Sequence, residues 1–174
     1  LWQNARKGAD PVAEFRDGTR KGHIDLPRAR AGGLVGGLCA IFVTSGGLAL
    51  SAPDADGHYA TPLSAPVPRP EALDIAIEMF AIARRLERAG LWTLCRSTIE
   101  IRAAIAAGRF AAVPHLEGCE PIGADLAALE LLAAAGLRSL GPVWSRPNIF
   151  GHGVPFTYPS TPDTGPGLTP AGFD

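Results

Sequence analysis

Glu117 closes the apolar run Phe110-Ala-Ala-Val-Pro-His-Leu116 and is followed by Gly118. A carboxylate at the C-terminal end of a strand stands where α/β barrels place their catalytic groups. His115 lies two residues earlier and so shares Glu117's face of the strand, which lets both side chains point into one pocket. Position alone also allows a solvated loop acid, the ordinary state of Glu, and a hydrogen-bonded strand histidine.

His23-Ile-Asp25 is the second candidate, because an H-x-D pair on a strand offers two metal ligands on one side. Here it precedes Leu-Pro-Arg and a basic run instead of ending a strand, so a surface or loop position is expected. Asp54-x-Asp56-Gly57 has the start of a calcium loop but lacks the further acidic positions and the closing Glu. His58 and His152 fall in long loops. Cys39, Cys95 and Cys119 are odd in number and form no CxxC pair, so they make neither a disulfide framework nor a thiolate zinc site. That usage fits a reducing, cytoplasmic compartment. No G-x-S-x-G nucleophile signature occurs, and no GxGxxG follows a strand.

The elements that must position these residues alternate between strand and helix. Leu34–Val43 is apolar throughout and predicts a strand buried on both faces, as in parallel sheets. The Pro/Gly/Ser-rich stretch from Ser45 to Pro70 reads as a long loop, of the kind that is usually functional. Glu71–Ala89 predicts a helix, with Leu73, Ala76, Ile77 and Phe80 at helical spacing, Pro70 at its start and Gly90 past its end. Leu91–Cys95 reads as a short strand. Ser97-Thr-Ile-Glu100 is a capping box that opens a helix ending at Gly108. Phe110–Leu116 is a strand, Ala124–Ala135 a helix capped by Gly136, and Leu137–Val143 a further strand. A second Gly/Pro-rich loop runs from Ser145 to Gly167. Leu168-Thr-Pro170 predicts a helix start, with Thr169 as the cap. Leu1–Arg30 is polar and mixed. The chain starts mid-pattern at Leu1 and stops inside an element at Asp174, the expectation being a processed or truncated chain.

Strand–helix alternation argues for a parallel sheet wrapped by helices, as a barrel or an open doubly wound sheet. The chain has 174 residues, 47% hydrophobic and 19% charged, with net charge −1. That is enough for a packed core and gives no nucleic-acid or polybasic membrane surface. No apolar run approaches the roughly 20 residues of a membrane span.

Four segments, in order along the chain, resemble the membrane (renal-type) dipeptidases, zinc metallopeptidases, in their bacterial branch. Gly22-His-Ile-Asp-Leu-Pro-Arg-Ala-Arg-Ala-Gly-Gly-Leu-Val-Gly-Gly37 resembles the run into that family's second barrel strand. His115-Leu-Glu-Gly-Cys119 resembles its metal-binding strand end. Ser145-Arg-Pro-Asn-Ile-Phe-Gly-His-Gly153 and Gly167-Leu-Thr-Pro-Ala-Gly172 resemble the loop after the fourth strand and the following helix.

The resemblance implies a partial (β/α)₈ barrel, with residues 1–174 the N-terminal part of one dipeptidase domain. It implies two zinc ions in the full-length protein, bridged by Glu117, and hydrolysis of dipeptides through a shared hydroxide. It places Trp144 where many relatives have a substrate-contacting His. By the same register the family's own H-x-D would lie upstream of Leu1, so His23 and Asp25 are not the metal pair. Two other readings stand beside it: an inactive truncated barrel, and a different amidohydrolase-like barrel that uses His23 and Asp25 as ligands. The expected partners are a dipeptide and, at the open strand edges of a half barrel, a second copy of the chain.

Overall fold

A computed structural model describes residues 1–19, 21–44 and 50–174. The expected loop from Ser45 therefore lies partly outside the described residues. By contact the chain divides into two compact units. The first comprises Leu1–Ile41, Ala76–His115 and Ala133–Ser139; the second comprises Phe42–Ile75, Leu116–Leu132 and Leu140–Asp174.

The N-terminal stretch forms three short helices, α1 (Trp2–Ala5), α2 (Pro11–Asp17) and α3 (Leu26–Ala31). Each of the last two has the local grammar of a helix start. Asp10 Oδ1 accepts the Val12 amide at 2.9 Å ahead of Pro11, and Asp25 Oδ1 accepts the Arg28 amide at 2.9 Å. An acidic side chain there satisfies an orphan amide and sits favourably at the positive end of the helix dipole.

Strand β1 (Gly36–Phe42) is followed by β2 (Tyr59–Thr61), α4 (Arg69–Arg88), β3 (Trp92–Leu94), α5 (Thr98–Ala106), β4 (Phe110–Glu117), α6 (Ala127–Ala135), β5 (Ser139–Gly141), β6 (Phe156–Tyr158) and α7 (Pro170–Phe173). The Ser97 cap forms, with Ser97 Oγ accepting the Glu100 amide at 3.2 Å; Glu100 reaches back one residue further than a capping box requires, its Oε2 accepting the Arg96 amide at 2.5 Å.

The main sheet has the order β1-β4-β3, with β5 also pairing to β4, and β3 runs parallel to β4. The mixed α/β arrangement with parallel pairing agrees with the expected class; four strands do not close, so among the described residues the sheet is open and no closed barrel is formed. Strand β4 is central, and none of its residues is exposed. Strand β1 is an edge, and it is not covered on both faces as its apolar run predicts; Leu38 is 64% exposed. A second sheet pairs β2 with β6 antiparallel, Tyr59 opposite Tyr158 and Thr61 opposite Phe156.

In the first unit the core gathers Phe15, Leu26, Ile82, Leu86, Trp92, Leu94 and Phe110. Phe15 is its centre, with ring centroids 5.5 Å from Trp92 and 6.0 Å, edge-on, from Phe110. The Trp92 indole N–H is satisfied by the Ala83 carbonyl at 2.8 Å, as a buried indole requires. This cluster holds the start of β4.

Candidate functional site

Strand β4 alternates along its second half. Pro114 and Leu116 are buried, while Val113, His115 and Glu117 are half-buried on the other face. His115 is held by Ser139, with Nδ1 to Oγ at 2.8 Å, so its ring has a structural partner. The Glu117 carboxylate is half-buried and forms no hydrogen bond or ion pair among the described residues.

Past Glu117 the chain turns sharply. Gly118 has φ +92°, and its amide donates to the Gly141 carbonyl at 3.0 Å; the Cys119 amide follows with a bond to Pro142 at 3.0 Å. A side chain at Gly118 would run into the Glu120 carboxylate, so both backbone conformation and space call for glycine. Glu120 and Arg146 form a buried ion pair, their side chains 2% and 3% exposed. Arg146 Nε and Nη2 donate to Glu120 Oε1 at 3.0 and 2.8 Å, and Nη2 also donates to the Val43 carbonyl at 2.5 Å. Glu120 Oε2 is buried with no partner among the described residues.

Trp144 is 39% exposed. The Phe42 and Phe156 rings meet it edge-on, at 5.0 and 5.7 Å. One part of the indole is therefore fixed and the rest is offered to solvent.

The other sequence candidates have settled roles. Asp25 is buried instead of lying on the surface. Besides capping α3, its Oδ2 accepts from Arg28 Nε at 2.7 Å and from the Thr19 amide at 3.0 Å. The Arg28 guanidinium and these amides hold its carboxyl well below the usual carboxylate range. Both oxygens are engaged, which leaves little for a metal, and His23 is exposed. Asp54 Oδ1 accepts the Asp56 and His58 amides at 2.9 Å each, a turn that orders its own loop. Thr169 does not cap α7 with its side chain; its hydroxyl donates to the Ile149 carbonyl at 2.5 Å. Burial, with Glu120 next to it, pushes the Cys119 thiol up to about 12, and burial with Cys95 nearby pushes Cys39 up to about 11. Neutral thiols of this kind are poor metal ligands.

Among the described residues no three His, Cys, Asp or Glu side chains come together as a metal site. Glu117 suits one ligand position; Glu120, bound to Arg146, and Asp25, bound to Arg28, do not. The donor set fits part of a metal centre and not a whole one.

The family model for membrane dipeptidases, peptidase family M19, matches residues 1–174. The chain belongs to the membrane dipeptidase family. A solved structure of the dipeptidase AC, a metallo peptidase of family M19, is 42% identical with a TM-score of 0.83, over 98% of this chain and 48% of that one. A metallo peptidase from Rhodobacter sphaeroides, liganded with a phosphinate mimic of the dipeptide L-Ala-D-Ala, is 40% identical with a TM-score of 0.83, over 99% of this chain and 50% of that one. An uncharacterized protein in the PQQ-III 3' region of Acinetobacter calcoaceticus is 32% identical over 170 residues, 95% of this chain and 52% of that protein. This dipeptidase-family chain thus spans about half the length of the relatives it matches. Within the described residues no helix is long and apolar enough to cross a membrane.

Proposed function

We propose that this chain carries one side of a two-zinc dipeptidase centre and that Glu117 is the carboxylate shared by the two ions. The observation that carries the reading is a strand-end carboxylate, half-buried and without a protein partner among the described residues, in a chain whose solved neighbours are metallo dipeptidases. Bound zinc would supply a water acidic near neutral pH and an electrophile for the scissile carbonyl. The chain's own contribution is to hold Glu117 on a rigid strand, so that ligand geometry is set by the fold. The exposed part of Trp144 borders the dipeptide. The remaining ligands belong to the half of the relatives' length that this chain does not span.

Residues 1–174 and the whole protein are expected to behave differently. Residues 1–174 alone, with one free ligand carboxylate, bind zinc weakly and hydrolyse nothing. The full protein hydrolyses dipeptides, loses activity on chelation and regains it with zinc. In the full protein, Glu117→Ala removes both tight zinc binding and turnover. Normal zinc content and normal turnover in that variant would remove Glu117 from the site. Robust zinc-dependent dipeptide hydrolysis by residues 1–174 alone would overturn the division of the site.

A further inference from the structure

The Glu120–Arg146 pair joins three chain segments that follow strands. Val43 comes just after β1, the Gly118–Glu120 turn just after β4, and Arg146 in the segment after β5. Both side chains are buried. A buried ion pair has to recover the desolvation of two charges and is weak support for stability as such. Here the recovery is also incomplete. Both Arg146 donors converge on Oε1, and Oε2 is left with no partner among the described residues. A pair selected for its own satisfaction would be bidentate through both oxygens.

What the arrangement does achieve is fixed backbone. The Glu120 carboxylate lies against Gly118, the residue next to Glu117. Arg146 holds that carboxylate and, through the same Nη2, the Val43 carbonyl. Its guanidinium also lies over the Phe42 ring, 5.9 Å from the centroid, and Phe42 in turn abuts Trp144. One guanidinium therefore braces the turn after Glu117 and the seat of Trp144.

We propose that Glu120 and Arg146 are positioning residues that aim the Glu117 carboxylate at the metal by locking the Gly118–Glu120 turn. The proposal rests on the reading of Glu117 as a ligand. Residues that orient a ligand without touching the metal commonly set about 10–100-fold of its affinity.

The test uses the full protein and zinc alone as the probe, with the dissociation constant read by competition against a chromophoric chelator. Melting temperature, kcat and KM are followed in parallel. Glu120→Gln keeps shape and one acceptor for Arg146, and Arg146→Lys keeps the charge but loses the fork. Each weakens zinc binding about 10–100-fold and lowers kcat, with KM for a dipeptide nearly unchanged. The double variant loses no more than the worse single variant, because both break one brace. Should Glu120→Gln fail to fold, Arg146→Lys decides the outcome. Zinc affinity and kcat unchanged in Arg146→Lys, with only the melting temperature lowered, would show a purely structural pair. A parallel Glu117→Ala separates the two failures. If it abolishes zinc binding while the pair variants do not, the positioning role alone is wrong. If it too leaves zinc binding intact, the ligand assignment is wrong.

Discussion

The molecule holds two acids that look alike in sequence and differ in what the fold does with them. Asp25 ends an H-x-D triplet and Glu117 an H-x-E triplet. Asp25 is buried, and both of its oxygens are engaged by the start of α3, by Arg28 and by Thr19. Glu117 stands at the end of the central strand with no such partner among the described residues. The difference lies in the backbone that follows. Leu-Pro-Arg after Asp25 begins a helix, which offers amides and a positive dipole end to a short carboxylate. Gly118 turns the chain away from Glu117, and the amides of that turn go to Gly141 and Pro142. Asp25 thus meets amides that its own oxygens satisfy, whereas the amides that follow Glu117 are satisfied by backbone carbonyls.

The contrast can be attacked from both sides. The largest effect is expected at the brace behind Glu117: Arg146→Met leaves the Glu120 charge buried and unpaired, costing about 3–5 kcal/mol in chemical denaturation. Next is Gly118→Ala, where a left-handed backbone costs roughly 1–2 kcal/mol and the new methyl group displaces the Glu120 carboxylate. Zinc affinity should fall with it, and wild-type affinity in the Gly118→Ala variant would show that the turn does not aim Glu117. Ser97→Ala supplies a reference for a cap remote from any metal, about 1 kcal/mol less stable with zinc binding untouched.

The smallest effect is a pH dependence. The folded-state pKa of Asp25 lies below its unfolded value of about 3.9. Its stabilisation is complete above that value and is lost as pH falls below it, where the unfolded chain takes up the proton first. Wild type should therefore be more stable than Asp25→Asn at neutral pH, with the gap closing in acid. A gap constant down to pH 2 would contradict the caging of Asp25.

What was legible in the sequence, and what was not, follows the same physics. Helices α4, α5 and α6 and strands β1, β3, β4 and β5 were legible because apolar periodicity and caps are local signals, although their ends shift by a few residues. The exposed face of β1 was not legible because what packs over a strand is a property of the whole fold, not of Gly36–Phe42. The short helices α1–α3 escaped a reading based on long periodic runs, even though Asp10-Pro11 is a visible start signal. The antiparallel pair β2–β6 joins residues about a hundred positions apart, and nothing in three-residue strands announces it. The same holds for Glu120 and Arg146, 26 residues apart, which residue types alone did not mark as partners. The place of Glu117 at a strand end was legible because strand, carboxylate and glycine fall together in one short stretch.

The central claim is that Glu117, and not Asp25, is the ligand. Zinc affinity measured side by side on Glu117→Ala and Asp25→Ala in the full protein tests it most directly. The predicted result is loss of tight zinc binding in the first and, in the second, wild-type affinity with a lowered melting temperature. Tight zinc binding retained by Glu117→Ala and lost by Asp25→Ala would contradict it.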